Sequence, residues 1–232
     1  MEQTRTIGLI GGMSWESSIE YYRLTNELVA RRLGGFHSAR SILHSVDFAE
    51  IERLQVTGDW AAAGRVLADA ARAVELAGAD FVVLCTNTMH KVAADIEAAV
   101  SIPLLHIADA TADAVQAQQL TTVGLLATAF TMEQTFYRER LERRGLRVLV
   151  PGEEDRRVVH RVIYEELVLG EVRDASRREY RRIMSRLVAD GAEGIILGCT
   201  EIELLVGQAD SSVPVFPTTR IHAEAAVDAA FA

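Results

Sequence analysis

Short apolar runs alternate with longer amphipathic segments along the whole chain. The apolar runs do not alternate with polar residues, which is typical of parallel strands buried on both faces. Strand-like runs occur at 6–10, 41–46, 81–84, 103–106, 123–126, 146–150 and 195–197. The segments between them predict helices at about 18–32, 60–77 and 89–99, and from Thr218 onward. This order of elements predicts an α/β fold with doubly wound parallel sheets.

Parts of the first half of the chain return in the second half. The run 78–87 (GADFVVLCTN) is similar to 191–201 (GAEGIILGCTE), and TIGLI at 6–10 is similar to TVGLL at 122–126. The run IPLL at 102–105 is similar to VPVF at 213–216. Chance similarity between α/β strands is the alternative, but three matches in the same order favour a duplication.

The duplication predicts two pseudo-symmetric doubly wound domains with the active site between them. We expect a first half-domain of residues 1–104 plus 216–232, and a second of residues 105–215. In open α/β sheets, ligands bind beyond the carboxyl ends of the strands. Candidate functional residues should therefore follow the strands directly.

Composition narrows the function classes. The 232 residues carry 24 basic and 33 acidic side chains, a net charge of −9, with no basic block, which argues against nucleic acid as a partner. No apolar run approaches membrane-spanning length and the N-terminus lacks a signal-peptide pattern, so we expect a cytoplasmic protein without a membrane partner. Lys91 is the only lysine and is expected to be exposed, which argues against pyridoxal chemistry, since that chemistry needs a lysine for the Schiff base.

The only two cysteines, Cys85 and Cys199, stand at equivalent points of the duplicated segments. Each follows a strand and precedes a polar turn, where a helix N-terminus would lower the pKa of a thiol and bind a carboxylate. A like charge at Glu201 would instead raise the pKa of Cys199. A small buried apolar residue is the alternative for either cysteine. Cys85, His90 and Cys199 are zinc-ligand types, but without CxxC or HxxxH spacing no metal site is predicted.

The loop from Gly8 to Ser14 (GLIGGMS) departs from the dinucleotide pattern GxGxxG, because isoleucine occupies position 10, and it has no P-loop lysine. We interpret it as a tight strand-to-helix turn whose glycines also let Ser14 approach a small ligand.

Three motifs together resemble the aspartate/glutamate racemase family, and within it the broad-specificity amino-acid racemases of bacteria. They are GLIGGMSWES at 8–17, CTNTMH at 85–90 and LGCTEI at 197–202. The resemblance covers essentially the whole chain. It implies a cofactor-independent racemase, usually a homodimer, that acts on a free amino acid, with aspartate and glutamate as first candidates.

The resemblance also assigns roles to individual residues. It implies that Cys85 and Cys199 are the catalytic thiols. It implies substrate contacts from polar residues in the loops: Ser14, Gln55, Thr86, Asn87, Thr88, Thr128, Thr200 and Glu201. Ala127, Ala129 and Glu171 depart from the residues that relatives often carry, which leaves the preferred side chain open.

The resulting prediction is an amino-acid racemase without pyridoxal or metal, in which one thiolate removes the α-proton and the other thiol protonates the opposite face. Two alternatives stay open. One is a decarboxylase or cis-trans isomerase of the same superfamily that uses a single cysteine. The other is a catalytically silent protein that binds an amino acid.

Overall fold

Two four-stranded parallel sheets organise the chain in the computed structural model, which describes residues 4–232. The first sheet has the order β2-β1-β3-β4 and the second the order β6-β5-β7-β8, so the same arrangement occurs twice. The strands of the first sheet are β1 (Ile7–Gly11), β2 (Ser41–Ser45), β3 (Phe81–Leu84) and β4 (Leu104–Leu105). Those of the second are β5 (Thr122–Ala127), β6 (Arg147–Leu149), β7 (Gly194–Gly198) and β8 (Val215–Pro217). The predicted α/β class with two parallel sheets is confirmed.

The chain divides into two compact units. The first contains residues 4–107 together with His222–Ala232, and the second contains Ala108–Ile221. The first unit carries α1 (Trp15–Leu33), α2 (Phe48–Thr57), α3 (Trp60–Leu76) and α4 (Ala93–Glu97). The second carries α6 (Ala129–Glu133), α7 (Thr135–Arg143), α8 (Glu153–Glu165), α9 (Asp174–Ala189) and α10 (Ile202–Leu205). The chain passes from one unit to the other within α5 (Ile107–Ala117) and returns within α11 (Thr218–Ala230).

Alternate residues of β3 show how the first sheet is covered on both faces. Val82 and Leu84 belong to the apolar cluster that α2, α3 and α4 build on one face. Phe81, Val83 and Cys85 belong to the cluster that α1 and α11 build on the other. Side chains along a strand point alternately to opposite faces, so every position of β3 is buried without any polar alternation. Cys85 therefore continues the register of the strand beyond its last paired residue.

The segment 89–99 differs from its prediction. A single helix was expected there, but the structure has a 3₁₀-helix at Thr88–Val92 followed by the short α4. The helix α2 was not predicted; Asp47 caps its N-terminus by accepting a hydrogen bond from the Ala49 N–H at 3.1 Å. None of the helices in the described part of the chain is long and apolar enough to cross a membrane.

The turn after β1 requires glycine at position 12. Gly12 has φ of +91°, and a Cβ built there would lie 2.1 Å from the carbonyl oxygen of Val46. Both the backbone conformation and the lack of space exclude a side chain. The sequence interpretation of this segment as a tight strand-to-helix turn agrees with that geometry.

Candidate active site

Cys85 is the first residue after β3 and its side chain is fully buried. Its N–H donates to the carbonyl of Ile10 at 2.9 Å, which extends the pairing of β3 with β1 by one step. The Ser17 hydroxyl donates to the Cys85 carbonyl at 3.0 Å. The thiol itself makes a long contact of 3.8 Å to the carbonyl of Val83. The backbone of the cysteine is thus fixed on both sides while its thiol has a weak partner.

Ser14 is connected to Cys85 through Ser17, which forms hydrogen bonds with both residues. It caps the N-terminus of α1, because its hydroxyl accepts from the Ser17 N–H at 3.3 Å. Ser18 closes the same loop, since its hydroxyl accepts from the Gly12 N–H at 2.7 Å and donates to the Ser14 carbonyl at 3.0 Å. The loop after β1 is therefore packed directly against the turn that carries Cys85.

The polar turn after Cys85 holds three of the predicted substrate residues. Thr86 is half-buried, whereas Asn87 and Thr88 are buried. Asn87 precedes the 3₁₀-helix, and its side chain does not cap that helix. Gln55, on α2, reaches the following segment through a 3.0 Å contact between its amide Nε2 and Met89 Sδ. In the first unit, the structure thus brings together the predicted residues that follow β1 and β3 and the one on α2.

Cys199 occupies the equivalent position in the second unit, directly after β7, and is half-buried. β7 pairs with β5 up to Gly198 opposite Ala127, so Cys199 and Thr128 both lie just beyond the ends of neighbouring strands. The Thr128 hydroxyl caps α6 by accepting from the Thr131 N–H at 3.4 Å. Thr200 is half-buried and its carbonyl accepts from the Glu203 N–H at 3.3 Å.

Glu201 is the immediate partner of the second thiol. The Cys199 thiol donates to the buried Glu201 carboxylate, with 2.9 Å between Sγ and Oε2. Burial and the negative charge of Glu201 together raise the pKa of Cys199 well above its usual range, and backbone N–H groups of Glu201 and Ile202 oppose this only in part. The predicted effect of Glu201 on Cys199 is confirmed in direction.

The predicted lowering of the thiol pKa values is wrong for both cysteines. Burial alone raises the pKa of Cys85 far above its ordinary value. The elements after the cysteines are too short to offset desolvation, since a 3₁₀-helix follows Cys85 and α10 has four residues. Both side chains are therefore thiols at neutral pH unless another charge stabilises the thiolate.

Lys91 is half-buried rather than exposed as expected. Its ammonium group lies 3.6 Å from the centroid of the Trp60 ring, and burial lowers the pKa of the amine. The lysine thus packs against Trp60, the first residue of α3, instead of extending into solvent. Within residues 4–232, no three side chains of His, Cys, Asp or Glu are grouped as metal ligands.

An aromatic group borders Thr128 in the second unit. His160 on α8 accepts a hydrogen bond through Nδ1 from the Ala129 N–H at 3.2 Å. Its ring lies 6.0 Å from that of Phe130 and 4.7 Å from that of Tyr164. Burial lowers the pKa of His160, so the ring is neutral at pH 7 and carries its proton on Nε2.

Sequence reasoning considered His90 only as a zinc-ligand type, and it did not identify Ser17, His90 or His160 as hydrogen-bond partners of these turns. Ser17 and His90 stand inside the motifs GLIGGMSWES and CTNTMH, so the signal was present in their position next to candidate residues. His160 lies on a helix remote in sequence from Thr128, and only the packing of α8 against α6 brings the two together.

Comparison with known proteins places the chain in a family. The sequence profile of the family Asp/Glu/Hydantoin racemase matches residues 10–226. A solved structure of a proposed Asp/Glu racemase from Yersinia pestis is 57% identical, with a TM-score of 0.93 over 98% of this chain and 100% of that one. An aspartate racemase homologue from Pyrococcus horikoshii OT3 is 34% identical, with a TM-score of 0.86 over 98% of this chain and 100% of that one.

A curated protein adds a more distant relative. The broad specificity amino-acid racemase RacX of Bacillus subtilis (strain 168) is 22% identical over 170 residues, which cover 70% of each chain. The profile match spans nearly the whole sequence and both sheets. The chain therefore belongs to the Asp/Glu/hydantoin racemase family.

Proposed function

We propose that this protein is a cofactor-independent racemase of free amino acids, and that Cys85 and Cys199 transfer the protons. One observation carries the proposal: the two cysteines follow β3 and β7, which hold the same place in sheets of identical strand order. Inversion at Cα needs one group to remove a proton and another to deliver one to the opposite face. Two duplicated thiols meet that requirement if both reach the same carbon atom.

Both cysteines are protonated in the free protein, because the pKa of each thiol is raised. Cys199 becomes a thiolate when its proton passes to the Glu201 carboxylate, the acceptor at 2.9 Å. The thiolate removes the α-proton, and the Cys85 thiol protonates the resulting carbanion on the other face. The reverse direction begins with a Cys85 thiolate, which the substrate's α-ammonium group would stabilise as a nearby positive charge.

The polar turns supply the binding groups. Backbone N–H groups, the hydroxyls of Thr86, Thr88 and Thr200 and the side-chain amide of Asn87 hold the α-carboxylate and the amine. Ser14, Gln55 and Thr128 contact the remainder of the substrate. Donors at the carboxylate stabilise the charge that develops when the α-proton leaves. The family name makes aspartate and glutamate the first substrates to test, and a broad range of side chains is included in the proposal. The proposal also includes that the protein is a homodimer and is located in the cytoplasm.

Deuterium incorporation tests the reaction. We expect the wild-type protein to introduce solvent deuterium at Cα of both enantiomers in D₂O without added cofactor, measured by NMR over a panel of proteinogenic amino acids. A decarboxylase would release CO₂ instead, and a binding protein would leave Cα unlabelled. Either result would remove the racemase assignment.

Single variants test the two thiols. Cys85→Ala and Cys199→Ala should each reduce racemisation by about 10²–10⁴-fold, the usual contribution of a general acid or base. Each variant should still exchange the α-proton of one enantiomer, and the two variants should differ in which one. Exchange of the same enantiomer by both would contradict the two-base mechanism. Circular dichroism of the variants controls for folding.

A further inference from the structure

A buried histidine that the two-thiol mechanism does not use is bonded to the turn that carries Cys85. His90 Nδ1 lies 2.7 Å from the carbonyl oxygen of Thr86, the residue after the cysteine. On its other side, His90 Nε2 lies 3.2 Å from the N–H of Ile107, the first residue of α5. The side chain is buried, so these bonds form out of contact with solvent.

The two bonds define the protonation state of the ring. A backbone N–H can only donate, so Nε2 of His90 is the acceptor and carries no proton. A carbonyl can only accept, so Nδ1 carries the proton and donates to Thr86. His90 therefore acts as a neutral bridge with a fixed orientation, and no other tautomer satisfies both contacts.

The surroundings of His90 hold the ring in place. Its centroid lies 4.4 Å from that of His106 and 5.9 Å from that of His222. His222 is itself fixed, because Nε2 donates to the Leu105 carbonyl at 2.8 Å and Nδ1 accepts from the Tyr21 hydroxyl at 2.8 Å. Segments that follow β3 and β4 are thus joined through imidazole rings at the carboxyl edge of the first sheet.

The backbone N–H and carbonyl groups of Cys85 and Thr86 all form hydrogen bonds. The Cys85 N–H donates to Ile10 and the Thr86 N–H to Leu84 at 2.8 Å, both within the sheet edge. The Cys85 carbonyl accepts from Ser17 and the Thr86 carbonyl from His90. His90 is the only one of these partners whose side chain links the turn to the start of α5.

We propose that His90 is a positioning residue for the Cys85 thiol. It fixes the Thr86 carbonyl by a hydrogen bond and thereby orients the backbone next to Cys85. The proposal rests on the proposed function where it concerns turnover. Proton transfer to or from carbon depends steeply on the placement of the reacting atom, and a displacement of about 1 Å can cost 10²-fold in rate. The histidine acts through the cysteine and is not itself expected to contact the substrate.

Two amide variants separate the two bonds of His90. The amide nitrogen of asparagine can occupy the place of Nδ1 and donate to the Thr86 carbonyl, but it leaves the Ile107 N–H without its acceptor. The amide oxygen of glutamine can occupy the place of Nε2 and accept from the Ile107 N–H, but the bond to Thr86 is lost. We expect His90→Gln to lower kcat at least tenfold in both directions with KM changed less than about threefold. His90→Asn should keep kcat within about threefold of the wild type. The opposite order, or equal values for the two variants, would overturn the proposal.

A second measurement does not require racemisation. In a Cys199→Ser background, Cys85 is alkylated with iodoacetamide and followed by mass spectrometry. We expect His90→Gln to change the alkylation rate of Cys85 at least fivefold and His90→Asn to leave it near the background value. Unchanged alkylation in His90→Gln would contradict a positioning role even if the protein proved to be a racemase. If the wild type racemises no amino acid, the proposed function fails while the alkylation result still decides the role of His90.

Discussion

The Cys199 thiol donates a hydrogen bond to the Glu201 carboxylate across 2.9 Å, and this contact has two opposed consequences. The negative charge of Glu201 raises the pKa of the thiol and so disfavours the thiolate. The same carboxylate is the nearest group that can accept the thiol proton. Glu201 was predicted from the family resemblance to contact the substrate, and its contact with Cys199 makes it a candidate proton acceptor as well.

Glu201→Gln should separate the two effects. Without the negative charge, the pKa of Cys199 falls. A fall of about one unit would make the thiolate about tenfold more abundant at pH 8, so alkylation of Cys199 in a Cys85→Ala background should become about tenfold faster. Without the proton acceptor, racemisation should fall about tenfold or more in the direction that uses Cys199 as the base. Rates of alkylation against pH and of racemisation of each enantiomer provide the two measurements.

Glu203→Gln is the matched control, because it changes a neighbouring half-buried carboxylate in α10, the helix that begins directly after Glu201. It should leave the pH dependence of Cys199 alkylation unchanged. Slower alkylation in Glu201→Gln, or unchanged racemisation in both directions, would show that Glu201 does not act on Cys199 as the contact suggests.

Two adjacent threonines at the start of α11 should respond oppositely to loss of the hydroxyl. The Thr218 hydroxyl donates to the Leu197 carbonyl at 2.8 Å, whereas the buried Thr219 hydroxyl has no hydrogen-bond partner within residues 4–232. Valine has nearly the same shape as threonine. Thr218→Val should therefore lower the free energy of unfolding by about 1 kcal/mol, and Thr219→Val should raise it by about 1 kcal/mol. Urea denaturation of both variants measures the difference, and equal signs would refute it.

The pattern of apolar positions predicted seven of the eight strands, because strands buried on both faces leave a strong signal. The eighth, β8, was indicated only by the similarity of 213–216 to 102–105. The strands at Phe81–Leu84 and Gly194–Gly198 are apolar or glycine throughout, and the residues after them were recognisable as site residues. The helix α2 was missed because its ten residues give only a short periodic pattern, in which Phe48, Ile51 and Leu54 are three positions apart. Asp47 before it and Gly58 after it are the residue types that begin and end a helix.

The burial of the two thiols, and with it the direction of their pKa shifts, could not be predicted from the sequence. Their position after a strand suggested a helix N-terminus and a lowered pKa, but the pKa is governed by how much water reaches the sulfur. Cys85 is fully buried among residues of α1 and α11, which are remote in sequence. Only Glu201, two residues from Cys199, was close enough in the chain for its effect to be predicted.

Gly12 and Gly58 offer a comparison between lack of space and backbone strain. Both have positive φ, but a Cβ at Gly12 would overlap the Val46 carbonyl, whereas a Cβ at Gly58 would meet nothing within 4 Å. Gly58→Ala should cost about 1–2 kcal/mol, the strain of a left-handed residue. Gly12→Ala should cost clearly more and should also impair turnover, because the loop after β1 packs on the Cys85 turn. Equal losses of stability in the two variants would contradict this account of the loop.

Acid should destabilise the first unit through His222. Burial lowers the pKa of this histidine to about 4, and its two ring nitrogens are occupied by the Leu105 carbonyl and the Tyr21 hydroxyl. The unfolded chain takes up a proton at His222 near pH 6.5 and the folded chain only near pH 4. The free energy of unfolding therefore falls as pH drops through this window, by about 3 kcal/mol in total, and the contribution is fully present above pH 6.5.

The measurement is the difference in unfolding free energy between pH 7 and pH 4 for the wild type and for His222→Gln. Glutamine cannot be protonated in this range, so the variant should lose about 3 kcal/mol less over the interval even though it is less stable at pH 7. His37→Gln, which changes an exposed histidine, should retain the wild-type dependence. The same acid dependence in His222→Gln as in the wild type would mean that the buried ring does not control it.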